Sequence, residues 1–209
     1  MLGKNDLPEE IVTARTVVRR ARADDLPQIA AWPDYAWPHD VLGMTHALAR
    51  DAGGDYWWAR IDEPDRCHYS VVLRDGGEVI GLHAFVRIDW AAGVVGNMGV
   101  RIRSDRCDDG YGTESLRPLL AGVLDAGIGS IRLDVAAPNP RAVRCYEKCG
   151  MRTTGELWQA HRGEPIDPAD PKWSFVLPHA RHEDGRWMIR FYWMEIAGAS
   201  DDRGAADAT

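Results

Sequence analysis

The amino-acid sequence predicts a mixed α/β fold in which helices cover the faces of one sheet. Strand-like and helix-like stretches alternate in the order β-α-α-β-β-β-α-β-α-β-β. Two signals are especially clear, namely a hairpin turning at residues 75–77 and an amphipathic helix after residue 110. A chain of 209 residues with 45% hydrophobic composition can bury the core of a single domain.

The first half of the chain supplies most of the strands. Residues 16–22 predict a strand, and residues 23–32 predict a helix because an aspartate cap and Pro27 precede an apolar stripe. A second short helix is expected over residues 40–52. Two β-rich runs then flank Asp-Gly-Gly, and residues 93–103 continue as a further strand.

The second half contains two helices. Apolar residues from Leu116 to Leu124 recur at i, i+3, i+4, i+7 and i+8, and Pro118 should bend the first turns of that helix. The next helix has Asn139 as its cap, a proline at its first position and Gly150 as its stop. Two more strands follow.

The expected domain runs from residue 14 to residue 197, and the tails 1–13 and 198–209 are expected to be disordered because they lack apolar periodicity. A proline-rich connection over residues 160–186 precedes the last strand, with a short strand of its own expected at residues 173–177.

Composition restricts the function classes. The net charge of −7 argues against nucleic acid or an anionic membrane as a partner and suits a cationic small substrate. The sequence has no signal-peptide pattern and no apolar run of bilayer length, so we expect a cytoplasmic protein.

Cysteine and histidine spacing predicts neither a disulfide framework nor a metal site. The four cysteines are spread thinly, so free thiols are expected. Cys145 and Cys149 lie four residues apart, and His179 and His182 three apart, but no further ligand falls at a useful spacing.

A glycine turn opens the helix that begins after residue 110. Gly110 and Gly112 would let backbone N–H groups wrap around a phosphate at the helix N-terminus. The same turn carries Asp108 and Asp109, whose charge opposes an anion.

Three stretches in this order resemble the GNAT superfamily of acyl-CoA-dependent N-acetyltransferases. They are the strand GNMGVRI, the turn and helix GYGTESLRPLL, and the run NPRAVRCYEKCGM. The last is the most specific, since the superfamily has its pattern there at Asn139, Ala142, Tyr146, Gly150 and Met151.

The resemblance covers about residues 14–160 and is strongest to the branch with ribosomal-protein alanine, spermidine and aminoglycoside N-acetyltransferases. It implies a central, mostly antiparallel twisted sheet with helices on both faces and two strands splayed at a cofactor cleft. It also implies acetyl-CoA as the co-substrate.

The resemblance places a set of residues at the cofactor: Val100, Ile102, Cys107, Asp108, Asp109, Gly110, Tyr111, Gly112, Thr113, Asn139 and Ala142. Val100 and Ile102 would pair their backbone with the pantetheine like an added strand, although both could simply be core residues. Asn139 would hydrogen-bond the pantetheine, although capping alone would explain it.

The turn departs from the family pattern. Most relatives carry Arg-Gly or a glutamine where this chain has Cys107 and the two aspartates. We expect weakened cofactor affinity, unless the carboxylates face solvent and an arginine among residues 101–106 offsets their charge.

Two residues are candidates for the chemistry. Tyr146 would protonate the leaving thiolate, or it could be a packed aromatic. A lysine-like amine of pKa about 10.4 must lose a proton before it attacks, and residues 91–103 contain no acidic base. Asp134 resembles the aspartate of aminoglycoside enzymes and would be the base or an anchor for a cationic amine, or else a structural aspartate.

The acceptor is expected at the first helices, their connecting loop and the last strands. Candidate residues there are Trp32, Asp34, Tyr35, Trp37, Trp57 and Trp58. Aromatic faces and carboxylates suit a cationic amine, although these aromatics could instead pin their loops to the core. The 160–186 connection would serve as a lid or in a homodimer.

Two functions therefore remain open. One is an N-acetyltransferase that moves the acetyl group of acetyl-CoA to a primary amine of a small cation or a protein N-terminus, by direct attack in a ternary complex. The other is a catalytically degenerate module of the same fold that binds acyl-CoA or a protein partner.

Overall fold

The computed structural model of the protein describes residues 2–36, 39, 61 and 63–198. The described chain forms nine strands and three α-helices. In chain order these are β1 (Glu10–Val12), β2 (Thr16–Arg20), α1 (Leu26–Ala30), β3 (Arg66–Leu73), β4 (Val79–Asp89), β5 (Val94–Ile102), α2 (Tyr111–Asp125), β6 (Ser130–Ala136), α3 (Pro140–Lys148), β7 (Arg152–Ala160), β8 (Ala180–Glu183) and β9 (Arg186–Ala197).

All nine strands belong to one sheet. Its order is β1-β2-β3-β4-β5-β6-β9-β7, with β8 paired to β9. Every pairing is antiparallel except that of β5 with β6, which is parallel. The predicted mixed, mostly antiparallel sheet is therefore confirmed.

The local signals of the sequence fold as expected. Gly76 and Gly77 have φ angles of 83° and 70°, which is how the β3–β4 hairpin turns within a few residues. In α3 the Oδ1 atom of Asn139 accepts a hydrogen bond from the backbone N–H of Ala142 at 3.2 Å, and Gly150 ends the helix with a φ of 93°. Apolar residues of α2 pack against the sheet in the main core cluster.

The amino-terminal segment differs from the expected disordered tail over residues 1–13. Leu7 is 2% exposed and belongs to the main core. The guanidinium of Arg20 donates to the carbonyls of Lys4 and Leu7 at 2.6 and 3.0 Å, and the hydroxyl of Tyr69 donates to the carbonyl of Pro8 at 2.8 Å. These anchors lie far away in sequence, so periodicity within the segment could not reveal them. The expected tail at residues 198–209 lies outside the described residues except for Gly198.

The long connection is also packed rather than extended. Instead of a strand at residues 173–177 it forms 3-10 helices at Pro171–Trp173 and Leu177–His179, followed by β8. Prolines early in both turns fix φ near the helical value and favour this outcome. Trp173 is fully buried in a cluster with Ile189 of β9. The short helix expected at residues 40–52 lies outside the described residues.

A buried carboxylate joins β2, α1 and β3. Asp25 is 2% exposed and accepts two hydrogen bonds from Arg19 at 2.7 and 2.9 Å, one from the Ser70 hydroxyl at 2.6 Å and one from the Arg22 backbone at 2.8 Å. Burial alone would raise the pKa of Asp25, but the hydrogen bonds from Arg19 and Ser70 outweigh burial and lower it. The carboxylate therefore stays ionised and paired.

Two buried histidines make the stability of the fold depend on pH. Burial lowers the pKa of both His68 and His83 to about 4. Below pH 6.5 the unfolded chain binds protons that the folded chain does not, so stability should fall as the pH drops from 6.5 towards 4. At pH 5 we expect a loss of about 2 kcal/mol per histidine relative to pH 7.5. Urea unfolding at both pH values measures this loss, and a His68→Leu, His83→Leu double variant with an equally steep decline would contradict it.

Candidate functional site

β5 and β6 form the only parallel pairing in the described sheet, and this pairing extends over just two residue pairs. β5 pairs with β6 at Val94–Ser130 and Val95–Ile131, and the two strands then diverge. On its other side β5 remains paired with β4 as far as Ile102. A cleft opens where the strands part, bounded by β5, the turn before α2, and α3.

The cleft gathers most of the residues expected at the cofactor. It is lined by Tyr35, Val100, Ile102, Arg106, Cys107, Asp108, Gly110, Tyr111, Gly112, Thr113, Asn139, Arg141, Ala142, Arg144, Cys145, Tyr146 and Lys148. Of the cofactor residues expected from the sequence, Asp109 alone is absent from this lining. The three arginines, the lysine and Cys145 were not predicted there.

The open edge of β5 presents backbone groups to the cleft. The N–H of Met98 donates to the Oδ1 atom of Asn97 at 2.7 Å, and the carbonyl of Ile102 accepts a hydrogen bond from the hydroxyl of Tyr35. Backbone groups of every second residue point to the same edge of a strand, so those of Val100 share this edge. Tyr35 therefore lies in this cleft, where burial raises its pKa to about 12.

The turn before α2 forms a cradle of backbone groups. Gly110 has a φ of 85° and precedes the first helical residue, Tyr111. A Cβ atom on Gly112 would lie 3.3 Å from the Sγ atom of Cys145, so a side chain fits poorly there. The first N–H groups of a helix have no helical acceptor, and they carry the positive end of the helix dipole. The turn can therefore hold an anion close to its backbone.

Two of the three aspartates near the turn, Asp105 and Asp108, pair with arginines. Asp105 pairs with Arg103 at 2.7 Å. Asp108, with a side chain 74% exposed, lies 3.6 Å from Arg141 of α3. Arg106 pairs with Glu78 at 3.4 Å. Of the arginines expected to balance the negative charge of the turn, Arg103 pairs with Asp105. The partner of Asp108 is instead Arg141 of the next helix.

The backbone of Asp109 is held from outside the cleft by Arg15. The guanidinium donates to the Asp109 carbonyl at 3.0 Å and to Glu114 of α2 at 2.7 Å, and it lies 4.1 Å from the centre of the Tyr111 ring. Thr13 also donates to Glu114 at 2.7 Å. The turn between β1 and β2 thus braces the turn before α2.

Tyr146 faces the cleft from α3. It is 6% exposed, and its hydroxyl forms no hydrogen bond within the described part of the chain. Burial, with contributions from Cys145, Cys149 and Asp134, raises the pKa of Tyr146 well above its ordinary value. The phenol therefore stays protonated at neutral pH and has a donor to offer.

Asp134 lies at the gap on the opposite face of the sheet, because its neighbours in β6, Leu133 and Val135, point into the main core. Its two carboxylate oxygens accept hydrogen bonds from the side-chain amides of Asn97 at 3.2 Å and Gln159 at 2.8 Å. No lysine, arginine or histidine among the described residues pairs with it. The sequence did not predict Asn97 and Gln159 at this site, because only the register of the strands places them next to Asp134.

The residues expected at the acceptor have separate locations. Trp32 is 3% exposed in a core cluster and donates its indole N–H to the Val79 carbonyl at 2.9 Å. It therefore holds its loop against the core. Asp34 is exposed. The expected sites at Trp37, Trp57 and Trp58 lie outside the described residues.

The described part of the chain contains neither a metal-binding cluster nor a helix that could span a membrane. Its histidine, cysteine, aspartate and glutamate side chains form no group of three or more that could hold a metal ion. None of its helices is long and apolar enough to cross a bilayer. The four cysteines form no disulfide.

Solved structures with the same fold include several acetyltransferases. A spermidine N-acetyltransferase from Vibrio cholerae in complex with CoA and spermine is 17% identical, with a TM-score of 0.64 over 88% of this chain and 96% of that one. A chimera of that enzyme gives 18% identity and a TM-score of 0.63 over the same shares. A GNAT-family acetyltransferase from Bacillus anthracis is 16% identical, with a TM-score of 0.58 over 90% of this chain and 98% of that one. These similarities concern the fold.

Sequence comparison identifies the family. No curated protein matches the sequence. The family model described as an acetyltransferase (GNAT) domain matches residues 15–152, which is more than half of the chain. The protein therefore belongs to the GNAT acetyltransferase family.

Proposed function

We propose that the protein transfers the acetyl group of acetyl-CoA to a primary amine by direct attack in a ternary complex. The observation that carries this proposal is the cleft along β5 where it parts from β6, since the turn before α2, the open edge of β5 and the Tyr146 hydroxyl meet there. The Vibrio cholerae neighbour solved with CoA and spermine supports the same class of reaction.

The cleft fits acetyl-CoA by its chemistry. The turn at Gly110 and Gly112 would hold the pyrophosphate through backbone N–H groups. The open edge at Val100 would pair with the amides of the pantetheine arm. Arg144 and Lys148 line the cleft and form no ion pair within the described chain, so they are available for phosphate charge. Acetyl-CoA itself supplies the activated thioester.

Tyr146 is proposed as the proton donor. When the amine nitrogen bonds to the acetyl carbon, the carbon–sulfur bond breaks and the thiolate needs a proton. The buried phenol is protonated and has no competing partner among the described residues, so it can give that proton. This role requires the thioester sulfur to lie beside the hydroxyl.

Asp134 is proposed to receive the amine. Its hydrogen-bond donors, Asn97 and Gln159, are neutral amides, so the local charge stays negative. A carboxylate without a cationic partner attracts an alkylammonium and can accept its proton, directly or through water. The net charge of −7 also favours cationic amines over acidic ones. We therefore propose a small cationic amine as the acceptor class.

The proposed activity is tested by thiol release over an acceptor panel of polyamines, aminoglycosides, metabolic amines and peptides with a free N-terminus. Wild-type protein should bind CoA in calorimetry and release thiol with at least one cationic amine. Tyr146→Phe should lower kcat by about 10²-fold, the usual contribution of a general acid, with CoA affinity unchanged. Binding of CoA without thiol release across the panel would instead favour the degenerate module.

The role of Asp134 is tested by Asp134→Asn. We expect the KM for the amine to rise at least tenfold while the KM for acetyl-CoA stays constant, because a charge contact worth about 1.4 kcal/mol changes affinity tenfold. Glu195→Gln is the matched control, since Glu195 pairs with Arg132 at 3.1 Å elsewhere in the sheet. Unchanged amine kinetics in Asp134→Asn would remove the assignment.

The acidic turn gives a prediction about cofactor affinity. Asp108→Asn should release Arg141 from its ion pair and tighten CoA binding about three- to fivefold, since exposed ion pairs contribute up to about 1 kcal/mol. Asparagine tolerates the φ of 68° at this position. Asp105→Asn is the control, because Asp105 does not line the cleft. Equal CoA affinities in calorimetry at low salt would mean that Asp108 does not compete with the phosphates.

A further inference from the structure

The first turn of α2 is weakened where the phosphate would bind. Pro118 lies inside this helix and has no N–H, so the carbonyl of Glu114 receives no helical hydrogen bond from it. The same turn contains the N–H groups of Tyr111 and Gly112, which the helix leaves without acceptors. The Glu114 N–H still donates to the Gly110 carbonyl at 3.0 Å, and contacts from outside the helix add to the support of this turn.

One such contact comes from His83 of β4, a fully buried residue directly opposite Val100 of β5. Its Nε2 atom lies 2.8 Å from the hydroxyl oxygen of Ser115. That hydroxyl donates its own proton to the carbonyl of Tyr111 at 2.7 Å. With the Ser115 proton directed to Tyr111, the Ser115 oxygen can accept a hydrogen bond from Nε2 of His83, and we infer that His83 carries its proton on Nε2.

The direction of the Tyr111 carbonyl decides the direction of the next amide. A peptide unit is planar and trans, so the N–H of Gly112 points opposite to the carbonyl of Tyr111. Ser115 helps to hold that carbonyl on the helix side, so the Gly112 N–H points away from the helix body, and Gly112 lines the cleft. His83 keeps the Ser115 hydroxyl oriented towards Tyr111, since the serine oxygen must present a lone pair to the imidazole N–H.

We propose that His83 is a positioning residue for the cofactor, acting through Ser115 and the Tyr111 carbonyl to aim the Gly112 amide at the pyrophosphate of CoA. The inference rests on the proposed function for the identity of the ligand. It adds a buried residue of β4 that touches neither the cofactor nor the reacting atoms.

The histidine has a cost that a packing residue would not have. Its Nδ1 atom is buried without a hydrogen-bond partner among the described residues. An unpaired polar atom in the interior is unfavourable, and a leucine would fill similar space without it. The Nε2 donor is the one property of His83 that a leucine lacks and the turn uses.

The test compares two substitutions of His83 by calorimetry with CoA and by steady-state kinetics. His83→Leu removes the donor and should raise the Kd for CoA and the KM for acetyl-CoA about tenfold, with kcat and the amine KM within twofold of wild type. His83→Gln places an amide N–H near the same position and should restore the Kd to within threefold. A Kd for His83→Leu equal to that of wild type would overturn the proposal, and so would a His83→Gln variant as weak as His83→Leu.

A second buried histidine separates positioning from general loss of stability. His68 is 8% exposed on β3 and, like His83, has a pKa lowered by burial, but it does not line the cofactor cleft. His68→Leu should leave the Kd for CoA within twofold of wild type, and an equal weakening in both leucine variants would overturn the proposal.

Ser115→Ala tests the same relay where His83→Leu does not fold. It should weaken CoA binding to a similar extent, and an unchanged Kd would overturn the proposal. Because the ratio of Kd values is measured without turnover, failure of the relay is distinguishable from failure of acetyl transfer. The latter would appear as CoA binding without thiol release in the wild-type protein.

Discussion

The parting of β5 and β6 after two residue pairs is the constraint on which the other features of the site depend. If the strands stayed paired, the backbone N–H and C=O groups of β5 would hydrogen-bond to β6. The side chain of Asn97 would then have no gap between the strands to cross. Because they part, one edge of β5 faces a cleft and Asp134 is reached by amides from β5 and β7. Tyr146 and Asp134 then flank the gap from opposite faces of the sheet.

Electrostatics at the turn follows from which arginines are already engaged. Arg103 and Arg106 both lie near Glu78, and Arg103 also meets Asp105. The positive charge without an ion-pair partner among the described residues therefore comes from α3, through Arg144 and Lys148, next to Arg141, which pairs with Asp108. A turn without a basic residue of its own is compatible with an anionic ligand when the adjacent helix supplies the charge.

The sequence predicts what local rules control. Asn139 and Gly150 bound α3 because capping and left-handed glycine geometry act within a few residues. Tyr146 and ten of the eleven residues that the family resemblance places at the cofactor line one cleft, and Asp109 does not. Contacts set by strand register, such as Gln159 with Asp134, have no local signature and could not be predicted. The position of Arg141 could have been predicted, because it follows the capping residue Asn139 by two residues and so lies at the same end of the helix.

The packing of the amino-terminal segment also depends on contacts that are distant in sequence, so the sequence did not predict it. This packing has a consequence for folding. Thr13 and Arg15 contact Glu114 and Asp109 across 94 to 101 residues of chain. Closing a loop of that length lowers the conformational entropy of the chain, and only the contacts between its two ends compensate for this. Contacts between residues so far apart in sequence therefore form slowly. Thr13 and Arg15 leave the ribosome about a hundred residues before the turn that they contact. We therefore expect the turn before α2 to gain these supporting contacts late in folding, when the first strands of the chain meet its middle.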